Sequence, residues 1–345
     1  MKMDKIKKFS FKNDYSEGAH PNILNRLVET NLLQAEGYGE DYFSNKARKK
    51  IHEVLESSNP DIHFVTGGTQ ANLIIISSLL RPHESVISAT TGHINVHEAG
   101  AIEATGHKVC VIDTDDGKLT TKHIQEVINV HEDEHMVKPK LVYISNSTEL
   151  GTRYTKEELK DISDYCKMNN LYFFLDGARL GSAVASSNLE LRDLIELVDV
   201  FYIGGTKNGA LIGEAIVINN DKLKDDFRYL MKQRGALLAK GRIIGIQFLE
   251  LFTDNLFIEL AKKANSAATR LVDGIIKNNY DFLATPETNL IFPIFPNDVI
   301  EKLSAEFDFY VIEKINDSTS AVRLVTSWAT KNEDIDRFIN LLSVN

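Results

Sequence analysis

Three short segments of this chain carry residue types that could do chemistry. The first, Val65-Thr66-Gly67-Gly68-Thr69-Gln70-Ala71-Asn72, follows an apolar run and opens a helical pattern. Its glycines let backbone N–H groups approach a ligand with no Cβ in the way. A helix N-terminus adds unpaired donors and the positive end of the dipole. Thr69 can cap that helix and offer its hydroxyl to an anion. The segment reads as a phosphate cup around Gly68 and Thr69, or as an ordinary glycine turn with a threonine cap. It is not a nucleotide P-loop, because no Gly-Lys-Ser/Thr follows. The second segment, Leu175-Asp176-Gly177-Ala178-Arg179, sets a carboxylate at the end of a very apolar strand. Alone, Asp176 reads as a helix N-cap or a partner of Arg179. In the third, Phe201-Tyr202-Ile203-Gly204-Gly205-Thr206-Lys207-Asn208-Gly209, an apolar strand ends in small residues around one lysine. A surface turn would usually show more charge; if Lys207 is instead desolvated, burial favours the neutral amine, far below the ordinary ~10.4, and makes it nucleophilic.

Order and spacing say more than any one segment. A phosphate cup, then Asp176, then Lys207 thirty-one residues later is what a pyridoxal phosphate enzyme needs. The aldehyde must be held by a lysine as a Schiff base, the pyridine nitrogen needs a carboxylate, and the phosphate needs N–H and hydroxyl donors.

The chain also resembles the low-specificity L-threonine aldolases, of the beta-eliminating lyase/threonine aldolase group of fold type I pyridoxal phosphate enzymes. The resemblance runs over nearly the whole length. It is carried by Gly37-Tyr38-Gly39 with Asp41, Thr66 to Asn72, His93 with Glu98-Ala99-Gly100, Asp176 to Arg179, Lys207, and Val322-Arg323-Leu324-Val325-Thr326. It implies an aspartate-aminotransferase-like α/β fold and pyridoxal 5'-phosphate as cofactor. The implied activity is that of a carbon–carbon lyase cleaving L-threonine or L-allo-threonine to glycine and an aldehyde. Lys207 matches the Schiff-base lysine, Asp176 the partner of the pyridine nitrogen, and His93 the histidine stacked on the ring. Gly68, Thr69 and Thr206 fall on cofactor-binding positions. Arg179 would approach the ring hydroxyl or the substrate carboxylate, and Arg323 would grip that carboxylate as a planar fork. Tyr38 and Asn13 fall on substrate-binding positions. Either Lys240 or Arg242 would reach a neighbouring subunit's phosphate, since the family forms homodimers or homotetramers with shared sites.

The sequence departs from the family in places. The usual Asn-Thr-His reads Asn146-Ser147-Thr148 here, followed by Glu149, so the histidine near the substrate's β-hydroxyl is missing. Glu149, His97 or a held water are the candidate bases. The usual Arg-Ser-Asp reads Lys12-Asn13-Asp14, with an amide where a serine hydroxyl is expected. Two further readings follow: a related lyase acting on another β-substituted amino acid, by phenylserine-like cleavage or β-elimination, and a transaminase.

The elements that must position these residues are legible as well. Seven β-rich runs (62–65, 85–88, 108–112, 140–144, 171–175, 198–203 and 214–218) alternate with helical stretches near 69–80, 94–104, 120–134, 155–169 and 189–197. Several runs are continuously apolar, as in sheets covered on both faces. The alternation predicts a large, doubly wound, mostly parallel sheet that binds ligands at the C-terminal strand ends. The expected division is an N-terminal arm over 1–20, a large domain over 21–245 and a small α+β domain over 246–345. The small domain's three β-like runs would form a mostly antiparallel sheet.

Composition agrees with a globular enzyme. The 345 residues are 43% hydrophobic and 26% charged, with a net charge of −10. That acidic balance argues against a nucleic-acid partner, and no apolar run reaches the ~18–20 residues of a membrane helix. Two cysteines, Cys110 and Cys166, suit a reducing cytoplasm and read as packing residues. His131 and His135 stand at i and i+4 but in a charged segment, so a solvated helix end is the reading there and no metal is expected.

Overall fold

The computed structural model describes residues 8–343. The lysine-rich start of the expected arm, residues 1–7, lies outside the described residues. The central sheet has seven strands in the order Asp61–Val65, Glu214–Ile218, Val200–Gly204, Tyr172–Asp176, Lys138–Ser145, Glu84–Ala89 and Val109–Ile112. Only Glu214–Ile218 runs antiparallel to its neighbours; the other pairings are parallel. Each strand corresponds to one of the runs expected from the sequence.

Alternate residues of these strands feed two different cores, because side chains in a strand point to opposite faces. Ile87, Val142, Phe173, Leu175, Phe201 and Ile203 belong to one cluster. Val86, Leu141, Tyr143, Phe174 and Tyr202 belong to the other. Helices such as Gly68–Leu79 and Lys156–Met168 cover the sheet. The parallel strands end together at Val65, Ser145, Asp176 and Gly204, the edge on which the chemistry was expected.

Two helical expectations change. The stretch 94–104 is not one helix: a single turn, His93–Val96, gives way to Ala99 and Gly100 at φ 52° and 74°. The helix expected over 120–134 stops at Val130, so His131 and His135 do not share a helix face. Rather than being solvated, His131 is half-buried; its Nδ1 faces the Val127 carbonyl at 2.8 Å and its Nε2 lies 3.4 Å from Cys110 Sγ.

The small unit is built on Thr319–Val325, antiparallel to Ile294–Pro296, Tyr310–Lys314 and Leu290–Ile291. Helices Asn297–Ser304 and Asn332–Leu342 pack on it. The long helical stretch breaks at Asp254 and Asn255, both in the left-handed region, into Arg242–Leu251 and Leu256–Lys277. Phe257 and Leu260 join the large core, whereas Ala267, Leu271 and Ile275 join the small one. The core therefore changes along this second helix, beyond position 245. The arm is also part of the small unit: Phe9–Ser10 pairs with Phe307–Asp308, and Phe11 is fully buried between Phe307 and Phe338.

Candidate active site

Asp176 closes strand Tyr172–Asp176 and is almost fully buried. Its Oδ2 accepts hydrogen bonds from Tyr143 Oη at 2.6 Å and Asn72 Nδ2 at 3.0 Å. Its Oδ1 accepts from Tyr202 Oη and from the Ala178 N–H. Burial, then the charge of Asp176, push both phenols well above their ordinary range, so they remain donors. Four donors fix the direction of this carboxylate.

Asn72 lies one turn into the helix that opens at the cup. Its Nδ2 also donates to Glu98 Oε1 at 2.6 Å, and the same oxygen meets His93 Nδ1 at 2.8 Å. His93, Glu98, Asn72 and Asp176 form one continuous polar chain. Burial works against protonation of His93. The hydrogen bond to Glu98 and the charges of Asp176 and Glu149 outweigh it and raise the pKa, with Lys207 opposing. His97, a neighbouring ring 5.4 Å away, is shifted the other way: burial, then His93, Arg323 and Lys207, lower it against the pull of Glu149.

Lys207 sits three residues past strand Val200–Gly204. Burial, then the charge of Arg179, push its ammonium below the usual range, against Asp14, Glu149 and Asp176. The nucleophilic amine expected from its small neighbours is thereby favoured.

Arg179 is held from an unexpected direction. Its Nε and Nη2 donate to Asp14 Oδ2 and Oδ1 at 2.7 and 3.1 Å, in a pair whose side chains are 4% and 1% exposed. Asn289 Nδ2 adds a third bond to Asp14 at 3.0 Å. Neighbouring Asn13 instead accepts from the Tyr15 N–H and Ser16 Oγ of its own turn. Arg323 projects from the central strand of the small sheet, and its Nε is buried with no hydrogen-bond partner among the described residues. A guanidinium left unsatisfied in this way fits an incoming carboxylate.

The cup fits an anion too. Helix Gly68–Leu79 has no side-chain cap, and a Cβ at Gly67 would meet open space. A Cβ at Gly68 would lie 2.9 Å from Tyr202 Oη. Thr69 stands at the first helical turn beside it, while Thr206 Oγ1 accepts the Gly213 N–H at 3.0 Å. The cup, the buried lysine and the anchored carboxylate thus suit the phosphate, aldehyde and ring nitrogen of pyridoxal phosphate.

Thr148, at the missing histidine's place, is buried, with its Oγ1 2.7 Å from Thr152 Oγ1 and accepting from the Leu150 N–H. It is occupied in its own loop. The charge of the adjacent Glu149 acts on His93, His97, Arg179, Lys207 and Arg323.

Tyr38, Lys240 and Arg242 lie elsewhere. The Tyr38 N–H bonds to the Ala239 carbonyl at 3.4 Å, and Gly241 packs on Gly39. Lys240 is exposed on an open cavity of about 900 Å³, which Arg242 also lines; Arg242 donates to the carbonyls of Asn31 and Leu33. These three occupy one outer face of the chain.

Sequence reading did not assign Tyr143 or Asn289 to the site, and named Asp14, Asn72, Glu98 and Tyr202 only as parts of motifs. Asn72 had a usable signal, one helical turn from the cup. Asp14, Glu98 and Tyr202 stood inside motifs, whereas Tyr143 and Asn289 have no signal in local sequence.

Similarity to known proteins extends along most of the chain. The family model described as Beta-eliminating lyase matches residues 19–296. A low specificity L-threonine aldolase of Pseudomonas aeruginosa is 33% identical over 298 residues, covering 85% of this chain and 84% of that relative. A solved structure of Leishmania major threonine aldolase is 50% identical, with a TM-score of 0.96 over 97% of this chain and 98% of that one. Aspartate aminotransferase from Thermus thermophilus, at 13% identity and a TM-score of 0.71 over 98% and 91% of the two chains, shares the fold. The chain belongs to the beta-eliminating lyase family, within its low-specificity L-threonine aldolase group.

Proposed function

We propose that this chain cleaves β-hydroxy-α-amino acids such as L-threonine and L-allo-threonine to glycine and an aldehyde, using pyridoxal 5'-phosphate. The observation that carries this reading is a buried lysine and an anchored carboxylate at one edge of the large sheet, with an unsatisfied arginine of the small sheet within electrostatic reach of the same groups. When bound, pyridoxal phosphate supplies an electron sink for the bond broken at the substrate's Cα. Lys207 would hold the cofactor through its ε-amine. Asp176, its direction set by Asn72, Tyr143 and Tyr202, would keep the ring nitrogen protonated. Gly68, Thr69 and Thr206 would hold the phosphate, and His93, oriented by Glu98, would support the ring. Arg323 binds the α-carboxylate in two prongs, which orients the Cα–Cβ bond for cleavage.

Glu149 takes the proton from the β-hydroxyl, with His97 beside it. What supports Glu149 is its electrostatic reach to every cation of the site, together with the engagement of Thr148 in its own loop. Arg179 borders the same space, its charge matched by Asp14.

Self-association completes the reading. Leu24, Val28, Leu32 and Leu33 are exposed apolar residues near the face that carries Tyr38, Lys240 and Arg242. A second copy covering this face would bring a basic residue and Tyr38 to a neighbour's site, in a homodimer or homotetramer. Two buried, unpaired cysteines suit a reducing cytoplasm. Among the described residues no helix is long and apolar enough to cross a membrane.

The deciding experiment incubates purified protein with cofactor and either threonine isomer and follows glycine and acetaldehyde. Stoichiometric release of both is expected, with a borohydride-trapped adduct on Lys207. Turnover of another amino acid without aldehyde, or an adduct on a different lysine, overturns the reading.

A further inference from the structure

Glu214 is a buried acid that the chemistry above does not use. It opens the antiparallel strand Glu214–Ile218 and is 5% exposed. Register pairs it with Val65 on one side and Gly204 on the other. Val65 is the last residue before the Thr66–Thr69 cup, and Gly204 ends the strand that leads to Gly205-Thr206-Lys207. One carboxyl group therefore stands on the row of the sheet from which both loops depart. Its Oε2 accepts the Gly205 N–H at 2.8 Å, and the Thr206 hydroxyl is within hydrogen-bonding reach.

The groups around Glu214 do not neutralise it. Burial, the largest influence, pushes its carboxyl up to about 8, against the pull of Thr206, Gly205 and the charge of Lys207, while Asp176 adds to the rise. Strand Val200–Gly204 presents the phenol of Tyr202, itself held protonated. On strand Asp61–Val65 the next ionisable side chain is His63, whose pKa burial lowers to about 3. Helix Arg242–Leu251 faces the Gly205 turn with the apolar ring of Phe248.

We propose that Glu214 is a positioning residue that carries a proton: in its neutral form it braces the Lys207 loop and admits the cofactor's phosphate, and in its ionised form it opposes that phosphate. The inference rests on the reading that the cofactor sits between Lys207 and the Gly68–Thr69 cup. An anion arriving beside a carboxyl group favours the protonated form. Loading therefore takes a proton from solvent onto Glu214, and cofactor affinity falls as pH rises through the point where Glu214 ionises.

The test measures the Kd of pyridoxal 5'-phosphate for the full-length apoprotein by absorbance, from about pH 6.5 to about pH 9.5. Wild type is expected to weaken on the alkaline side, by at most about tenfold per pH unit for one linked proton. Glu214→Gln keeps an oxygen for the Gly205 N–H but cannot ionise. It should match wild type at the acid end and lose the alkaline limb. An unchanged limb in Glu214→Gln, or a uniform weakening with the limb intact, overturns the proposal. Should the variant not fold, calorimetry of wild type in buffers of different ionisation enthalpy decides. Proton uptake on loading must grow as pH rises towards the apoprotein's value of about 8, and flat uptake overturns the proposal. Failure to take up cofactor at any pH brings down the earlier reading and this one together. An unchanged alkaline limb brings down this one alone.

Discussion

Asp14 and Arg179 stand 165 positions apart in the chain, yet they form a two-pronged ion pair shielded from solvent, with N–O distances of 2.7 and 3.1 Å. The pair ties the N-terminal segment, which is woven into the small unit through Phe9–Ser10 and Phe11, to the active-site edge of the large sheet.

Replacing Asp14 by Ala leaves a buried guanidinium without its counter-charge. Breaking such a pair costs about 3–5 kcal/mol, which denaturant unfolding will read directly. The pH dependence follows from the sign of the shift. Burial raises the Asp14 pKa, but the charges of Arg179 and Lys207 and the hydrogen bonds outweigh it, leaving it below the ordinary 3.8. The stabilising contribution is therefore complete above that value and is lost as pH falls through the lower, folded-state pKa. Asp14→Asn should be less stable than wild type at neutral pH and should show a flatter acid limb below about pH 4.

Glu98→Gln removes the negative partner that raises the pKa of His93. The imidazole should then titrate at lower pH than in the wild type, because its charge-assisted hydrogen bond is lost. NMR titration of the His93 ring measures this shift without reference to turnover. An unmoved titration would mean that Asp176 and Glu149 set its charge.

Arg323→Lys keeps the charge and loses the planar fork. Losing one hydrogen bond to a charged group costs about 2 kcal/mol, roughly thirtyfold, expected mainly in KM for the amino acid. Steady-state kinetics separates this from a folding defect, because kcat at saturation should fall much less.

Glu149→Gln should lower kcat for aldol cleavage by about 10²–10⁴-fold, the usual contribution of a general base. Exchange of the α-protons of glycine, which needs no β-hydroxyl proton transfer, should persist. Loss of cleavage in His97→Ala with Glu149→Gln unaffected would assign the base to His97 instead.

The seven sheet strands were legible because each is a local apolar run bounded by turn residues, and burial on both faces leaves little other composition to choose. The cup, Asp176 and Lys207 were legible for a related reason: each lies at the junction of a strand with a loop or helix, where residue type is constrained locally. The expected helix over 94–104 failed because its apolar spacing is overridden at Ala99 and Gly100, whose positive φ values turn the chain out of helical geometry directly after Glu98, which is held by His93 and Asn72. The solvated reading of His131 failed in the same way, since its partner, Cys110, comes from an edge strand 21 positions earlier.

By itself, then, the amino-acid order determined the layered α/β architecture, the sequence of the strands and the placing of Lys207 and Asp176 where strands of the large sheet end. These depend on periodicity and turn chemistry within windows of a few residues. Tertiary structure alone decided that Asp14 and Asn289 secure Arg179, that Asn72 bridges Glu98 to Asp176, and that Glu214 lies between the two loops. Each of these relationships joins elements distant along the chain. Partners for buried polar groups are chosen only when packing removes water and leaves another side chain to satisfy them.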